Sequence, residues 1–202
     1  MSDDAVAAIR AGQLVVLPTD TVYGLCCDGY REAPFRRLAR LKGRPETAPV
    51  ALLAADLDVV LDAVPEARGR AAVVARALLP GPYTLVLANP ARRFRWLCGT
   101  TPEAIGIRVP ALPAETAAVL EEVGLVAATS ANLHGGPDPA RLDDVPEQIR
   151  EGCGAVVDAG ELPGRPSTVV DLTGREPVVL RAGAVPAEAA LSAAAAALAR
   201  AR

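Results

Sequence analysis

Residues 14–27 read LVVLPTDTVYGLCC, and this stretch decides the fold. It divides into two apolar runs, 14–18 and 21–27, which have the length and composition of β-strands. The first run ends at Pro18, and the small polar residues Thr19, Asp20 and Thr21 lead into the second. Hydroxyl and carboxylate groups at a strand end commonly line the mouth of a pocket. An ordinary polar turn between two strands would give the same pattern, so the stretch predicts two strands and leaves the site open.

Short strand-like runs alternate with helix-like segments along the rest of the chain. The predicted strands are 14–18, 21–27, 50–54, 84–88, 105–109, 125–129, 155–158, 168–172 and 178–181. The predicted helices are 3–11, 34–41, 57–63, 67–79, 113–122, 145–151 and 187–201. This order predicts an α/β fold with a mixed sheet flanked by helices. The last three strands follow one another closely, so we expect them to pair antiparallel.

We expect one domain over residues 1–202, because no repeat or linker divides the chain. Its core is predicted at about 5–186, and 187–202 is an alanine-rich C-terminal helix that buries little apolar area. The N-terminus is acidic and lacks the apolar segment of a signal peptide, and no 18-residue apolar run is present. A cytoplasmic location with reduced cysteines is therefore expected.

Composition excludes several kinds of site. The net charge is −3, so the whole molecule is not a strong attractor of nucleic acid. The four cysteines form no Cys-x-x-Cys pair, and His134 is the only histidine, so a His/Cys zinc site is not expected. The sequence also lacks a Walker-type phosphate loop and a Rossmann glycine motif.

Lys42 is the only lysine of the chain, and Arg44 lies two residues further on. An ammonium is a compact charge and a guanidinium is a planar fork, so the two together could clamp a polyanion such as a nucleoside triphosphate. A lysine near a helix C-terminus also interacts favourably with the helix dipole. The sequence alone leaves both interpretations open.

Other segments place polar side chains at strand ends. Arg108 interrupts an apolar strand and needs an anionic partner, either an acidic residue or a ligand. A buried strand runs into Ser130 and Asn132 and then into a glycine loop, which could cradle phosphate oxygens or be an ordinary turn. Ser167 and Arg181 lie at the ends of two further strands.

The segments occur in one fixed order, and together they are specific. They read PTDTVYGL (18–25), KGRP (42–45), PGPYTL (80–85), GIRVP (106–110), SAN (130–132), STVVD (167–171) and LRAG (180–183). In this order and spacing the chain resembles the YrdC/YciO family over roughly residues 5–186. The resemblance implies a twisted mixed sheet with a concave basic face. It also implies synthesis of threonylcarbamoyl-AMP and pyrophosphate from L-threonine, bicarbonate and ATP, for threonylcarbamoyladenosine in tRNA.

The resemblance also assigns roles to individual residues. The ATP and catalytic positions that it implies are Lys42, Arg44, Ser130 and Asn132, with Asp138 and Arg181 on the nucleotide side. The threonine pocket that it implies contains Thr21, Arg108 and Ser167, with Tyr23 as a wall. No protein side chain is expected to bind a metal by itself, and Mg²⁺ would be carried on the triphosphate. Ala48 and Leu53 replace polar residues of some members, which predicts a less polar amino-acid pocket.

Two other functions remain open. The basic run at 31–44 could make the chain a tRNA-binding module, although the scarcity of aromatic residues argues against base stacking. A YciO-like paralogue acting on another carbamoyl or adenylate substrate is the second alternative. The expected partners are the small substrates, with tRNA and the tRNA-modification proteins as possible further ones and no membrane.

Overall fold

A computed structural model describes residues 2–65 and 67–201. The helices are α1 (Ser2–Arg10), α2 (Glu32–Lys42), α3 (Leu57–Ala63), α4 (Arg70–Leu78), α5 (Ala114–Val123), α6 (Glu147–Glu151) and α7 (Ala187–Arg200). The strands are β1 (Val15–Pro18), β2 (Tyr23–Asp28), β3 (Ala51–Leu53), β4 (Tyr83–Ala88), β5 (Ala104–Arg108), β6 (Val126–Ser130), β7 (Ala155–Val156), β8 (Thr168–Asp171) and β9 (Val178–Arg181). Each predicted helix and strand is confirmed, with bounds that differ by up to three residues.

All of these strands belong to one sheet in the order β7-β1-β2-β6-β3-β5-β4-β8-β9. The pairs β1/β7, β3/β5 and β4/β8 are parallel, and the other neighbours are antiparallel. The mixed sheet is therefore confirmed. The pairing predicted for the last three strands is right only for β8 and β9. It is wrong for β7, because residues 157–167 carry the chain from one edge of the sheet to the region next to β4.

The two faces of the sheet are covered differently. One face presents Leu25, Leu52, Leu85, Ile107 and their neighbours to the larger hydrophobic cluster, on the side where α2, α4 and α7 pack. The alternate residues of the same strands point to the other face. There α1 and α5 pack together and cover β1, β2 and β6 with a smaller cluster. The remainder of this second face is not covered by a helix of the described residues, and it forms the floor of a cavity.

The alanine-rich helix α7 is more firmly packed than its composition predicts. Ala190, Ala194 and Ala197 are buried, and the helix contacts α4, β8 and β9. Small side chains let two helices approach closely, so alanine contributes contacts here even though each side chain buries little area. Among the described residues no helix has both the length and the apolar character that a bilayer span requires.

The inner strand β5 allows a direct test of this packing. Ile107 is fully buried, so we expect Ile107→Ala to lower the free energy of unfolding by about 2–5 kcal/mol through lost burial and a residual cavity. Val178 on the edge strand β9 is 53% exposed, and Val178→Ala should change stability by less than about 0.5 kcal/mol. Urea denaturation measures both values. Equal losses in the two variants would contradict the assignment of the buried face.

Candidate functional site

The uncovered part of the second sheet face bounds a cavity of about 480 Å³. This volume is in the range of small-molecule sites. The floor consists of same-face residues of adjacent strands, and most of them are small: Gly24, Ala51, Thr84, Ala104, Gly106 and Ala128. Small side chains on the floor leave room above the sheet, so the sequence itself keeps this space open.

Charged side chains of both signs belong to the polar lining of the cavity. Arg44, Arg108 and Arg181 line it together with the carboxylates Asp138 and Asp171. These five residues come from segments as far apart as the end of α2 and the end of β9. The fold therefore brings together charged residues that the sequence places up to 137 positions apart, as in a site for a charged ligand.

Lys42 lies at the wall of this cavity and is only 3% exposed. It is the last residue of α2, and Gly43 ends the helix in the left-handed conformation with φ of 66°. The ammonium donates hydrogen bonds to the carbonyl oxygens of Ser130 (2.5 Å) and Asn132 (2.8 Å) and to Asn132 Oδ1. The predicted convergence of Lys42 with residues 130–132 is thus present. Lys42 is not itself among the residues that line the cavity.

Burial lowers the pKa of Lys42 to about 8, because desolvation disfavours the charged form. The positive charge of Arg44 lowers this pKa further, and the negative charge of Asp138 opposes the decrease. The three oxygen acceptors compensate part of the cost of burying the ammonium.

The segment that holds Lys42 is ordered by its own hydrogen bonds. Ser130 Oγ donates to Asn132 Oδ1 at 2.7 Å, and Asn132 Nδ2 donates to the carbonyl of Gly136 at 2.5 Å. Ser130 lines the cavity, whereas Asn132 lies behind it with 6% of its surface exposed. Asn132 therefore links the lysine, the serine and the glycine loop.

Arg44 faces the cavity next to this segment. Its guanidinium donates to Thr129 Oγ1 at 3.2 Å and to the carbonyl of Pro49 at 2.5 Å. Its Nε is buried and has no hydrogen-bond partner within the described part of the chain. An unpaired buried donor is costly, and the guanidinium as a whole brings a positive charge to the cavity lining.

Arg108 has the acidic partner that the sequence analysis required, and this partner is Asp20. Arg108 Nη2 donates to Asp20 Oδ1 at 2.8 Å and to Thr21 Oγ1 at 3.0 Å, and both charged side chains are about one-tenth exposed. Burial raises the pKa of Asp20, and the positive charge of Arg108 opposes that increase. Arg108 Nε is a second buried donor without a partner in the described residues. Asp20 belongs to the PTDTVYGL motif, but the sequence alone did not predict a role for it.

The far end of the cavity contains a cluster of hydroxyl groups. Thr84 Oγ1 and Ser167 Oγ are 2.7 Å apart, and Arg181 Nη2 donates to the carbonyl (2.9 Å) and the hydroxyl (3.3 Å) of Ser167. Thr84 was missed as a site residue, although the PGPYTL motif contains it. The signal that could have found it is its position in β4, where it shares a face with Val86.

Tyr23 does not form a wall of the cavity, so that expectation is wrong for this structure. Its side chain is fully buried in the larger cluster, because Gly24, the next residue of the strand, points to the cavity face instead. The phenol oxygen lies 2.7 Å from Asp158 Oδ1 and 2.8 Å from the carbonyl of Gly160. Burial, together with the hydrogen bond to Asp158, raises the pKa of Tyr23 to about 12.

Two further expectations need correction. Thr21 is fully buried and is not among the residues that line the cavity; its hydroxyl contacts two that are, Arg108 at 3.0 Å and Thr19 at 3.0 Å. Leu53 packs in the smaller hydrophobic cluster, and neither it nor Ala48 lines the cavity. The apolar substitutions at 48 and 53 therefore do not make the cavity less polar.

The described residues contain no group of three or more His, Cys, Asp and Glu side chains that could hold a metal ion. Asp138 and Asp171 are the carboxylates that line the cavity. Asp171 Oδ1 already accepts hydrogen bonds from Thr173, which leaves Asp138 as the better candidate to contact a cation carried by a ligand.

Comparison with known proteins gives consistent matches. The family model Sua5_yciO_yrdC, described as "Telomere recombination", matches residues 7–183. A relative from Pyrococcus abyssi named threonylcarbamoyl-AMP synthase is 37% identical over 190 residues, which cover 91% of this chain and 54% of the relative.

Solved structures agree with these sequence matches. The crystal structure of P. abyssi Sua5 complexed with L-threonine superposes with a TM-score of 0.85 at 34% identity, over 93% of this chain and 55% of that one. E. coli YciO superposes with a TM-score of 0.81 at 28% identity, over 91% of this chain and 89% of that one. The chain thus spans about half of the archaeal protein and most of YciO.

Because Lys42 is the only lysine, its titration can be followed without mutation. Protein labelled with ¹⁵N-lysine should show a single side-chain Nζ resonance that titrates near pH 8 instead of near 10.5. Asp138→Asn removes a favourable negative charge and should lower the pKa further. Arg44→Gln removes a repulsive positive charge and should raise it. An unshifted pKa, or a shift of the same sign in both variants, would contradict this description of the wall.

Proposed function

The chain belongs to the Sua5/YciO/YrdC family, and from this premise we propose that it is a threonylcarbamoyl-AMP synthase. The proposed substrates are L-threonine, bicarbonate and ATP, and the products are threonylcarbamoyl-AMP and pyrophosphate. The single observation that carries the proposal is the convergence of Arg44, Ser130, Arg108 and Ser167 around one cavity, with Lys42 bonded to the backbone of Ser130 behind it.

The nucleotide is assigned to the side of the cavity formed by the end of α2 and the 130–138 segment. Arg44 and Ser130 face the cavity there, and the guanidinium of Arg44 offers a positive charge to a phosphate group. Lys42 supplies positive charge from the wall directly behind Ser130, and Asn132 fixes this arrangement. Arg181 and Asp138 complete the proposed nucleotide side.

Threonine is assigned to the region between Arg108 and Ser167. Arg108 lines the cavity and carries the positive charge proposed to hold the substrate carboxylate. Asp20 and Thr21 accept hydrogen bonds from its Nη2 and thereby orient the guanidinium. The hydroxyls of Thr84 and Ser167 offer polar contacts for the remaining groups of the substrate.

The reaction needs little covalent chemistry from the protein. The threonine amine and bicarbonate form a carbamate with loss of water. A carbamate oxygen then attacks the α-phosphorus of ATP, and the bond to pyrophosphate breaks. The arginines and Lys42 position the two anions and balance the charge that moves to the leaving group. Mg²⁺ would arrive on the triphosphate and neutralise the leaving pyrophosphate, with Asp138 as the nearby carboxylate.

The product would then pass to enzymes that modify tRNA, and a cytoplasmic location is part of the proposal. A direct contact with tRNA and the basic character of the whole concave face stay predictions. A YciO-like activity is the second candidate, because YciO has the same fold and the superposition covers most of both chains. Pyrophosphate release across a panel of amino acids separates the two, since the synthase requires threonine together with bicarbonate.

The assigned role of Lys42 can be tested by its removal. Lys42→Ala should lower the rate of pyrophosphate release by about 10²–10³-fold, equivalent to about 3–4 kcal/mol, as for the loss of one preorganised charge. Arg40→Ala is the matched control, since Arg40 is an exposed cation on the same helix that does not line the cavity. Its rate should stay within about twofold of the wild type. An unchanged rate for Lys42→Ala would refute the role given to this lysine.

A further inference from the structure

Gly106 occupies an unusual place in the sheet. It is the middle residue of β5, an inner strand that pairs with β3 and β4, and it faces the cavity. Glycine weakens the interior of a strand, because it loses more conformational entropy than alanine and contributes no side chain to packing. A glycine at such a position therefore needs a local reason.

Backbone conformation and crowding do not supply this reason. The φ angle of Gly106 is not positive, unlike that of Gly43. A Cβ placed at 106 would lie 3.6 Å from Thr84 Cγ2, 3.7 Å from Ala51 Cα and 3.8 Å from Ala51 Cβ, which are ordinary van der Waals distances. At Gly81, by contrast, a Cβ would lie 2.6 Å from the carbonyl oxygen of Leu78. The protein could hold an alanine at 106 without rearrangement.

A side chain at position 106 would extend into the cavity. Its neighbours on the floor are Ala51 and Thr84, and the Thr84 hydroxyl is paired with Ser167. Arg108 lies two residues further along the same face of β5, about 7 Å away at the usual rise of a strand. Gly106 is thus next to Arg108 on the cavity face of β5, and it pairs with Val86 of β4. It lies within van der Waals reach of Thr84, so it borders the region that the proposed function assigns to threonine.

We propose that Gly106 is a specificity-determining residue, because its missing side chain leaves the space in which the amino-acid half of the substrate lies. This inference rests on the proposed function and adds a residue to its substrate pocket. A methyl group at 106 would exclude the bound amino acid by contact, while the nucleotide on the opposite side of the cavity would keep its contacts with Arg44 and Ser130.

The test compares Gly106→Ala with Gly174→Ala. Gly174 is an exposed glycine outside the cavity, its φ is not positive, and a methyl group placed there would have only the Glu176 carbonyl oxygen at 3.8 Å as a neighbour. Both variants therefore add one methyl group without strain. For each protein the midpoint of thermal unfolding, the binding of threonine and of ATP, and the KM for each are measured.

For Gly106→Ala we expect an unchanged or higher unfolding midpoint and a KM for threonine raised by about tenfold or more, the size of effect that one methylene has in a tight pocket. The KM for ATP should stay within about twofold. Serine lacks the methyl group of threonine, so the preference for threonine over serine should fall. Gly174→Ala should behave as the wild type.

Three outcomes would overturn the inference: an unchanged KM for threonine, a raised KM for ATP alone, or a lower unfolding midpoint that reveals a structural role. The binding of threonine and ATP by the wild type tests the proposed function separately. Failure of the wild type to bind threonine and ATP would overturn that function and the inference with it. A wild type that binds both, beside an unaffected Gly106→Ala variant, would overturn only the role of Gly106.

Discussion

The site depends on the burial of one ammonium group. A lysine that is 3% exposed has lost most of its water, and the free-energy cost is tolerable only if oxygen atoms replace that water. In this chain the oxygens come from residues 130 and 132, about ninety positions later. The requirement to solvate Lys42 therefore joins the end of α2 to the end of β6, and it fixes the wall against which the nucleotide is proposed to bind.

The side of the cavity that contains Arg108 also has to compensate a buried positive charge, and there a carboxylate does so instead of carbonyl oxygens. Arg108 is neutralised by Asp20 through Nη2, while its Nε is a buried donor without a partner among the described residues. Half-satisfied groups of this kind are expensive in a core, and functional sites are where proteins keep them. The small residues of the floor serve the same purpose, since they give up packing contacts and leave room for a ligand.

Much of this could be read from the sequence, because strand periodicity and helix-ending glycines are local signals. The approximate bounds of the α-helices and β-strands followed from such signals, and the convergence of Lys42 with Ser130 and Asn132 followed from the family resemblance. The place of β7 could not be predicted, because sheet order depends on contacts between distant segments. Tyr23 was assigned to the wrong face, because one residue of offset in a strand exchanges core and cavity. Asp20 and Thr84 were overlooked, because their roles arise only from their neighbours in space.

The scarcity of lysine has a consequence for the response of the cavity to acidity. Arginine keeps its proton under all physiological conditions, so Arg44, Arg108 and Arg181 behave as permanent charges. Lys42, with its pKa lowered to about 8, is the cation at this site that exchanges a proton near neutral pH. The three arginines give the cavity a constant positive contribution, and the proton on Lys42 adds one more charge. Because this proton is lost as the pH rises above about 8, the affinity for an anion should fall in mildly alkaline solution.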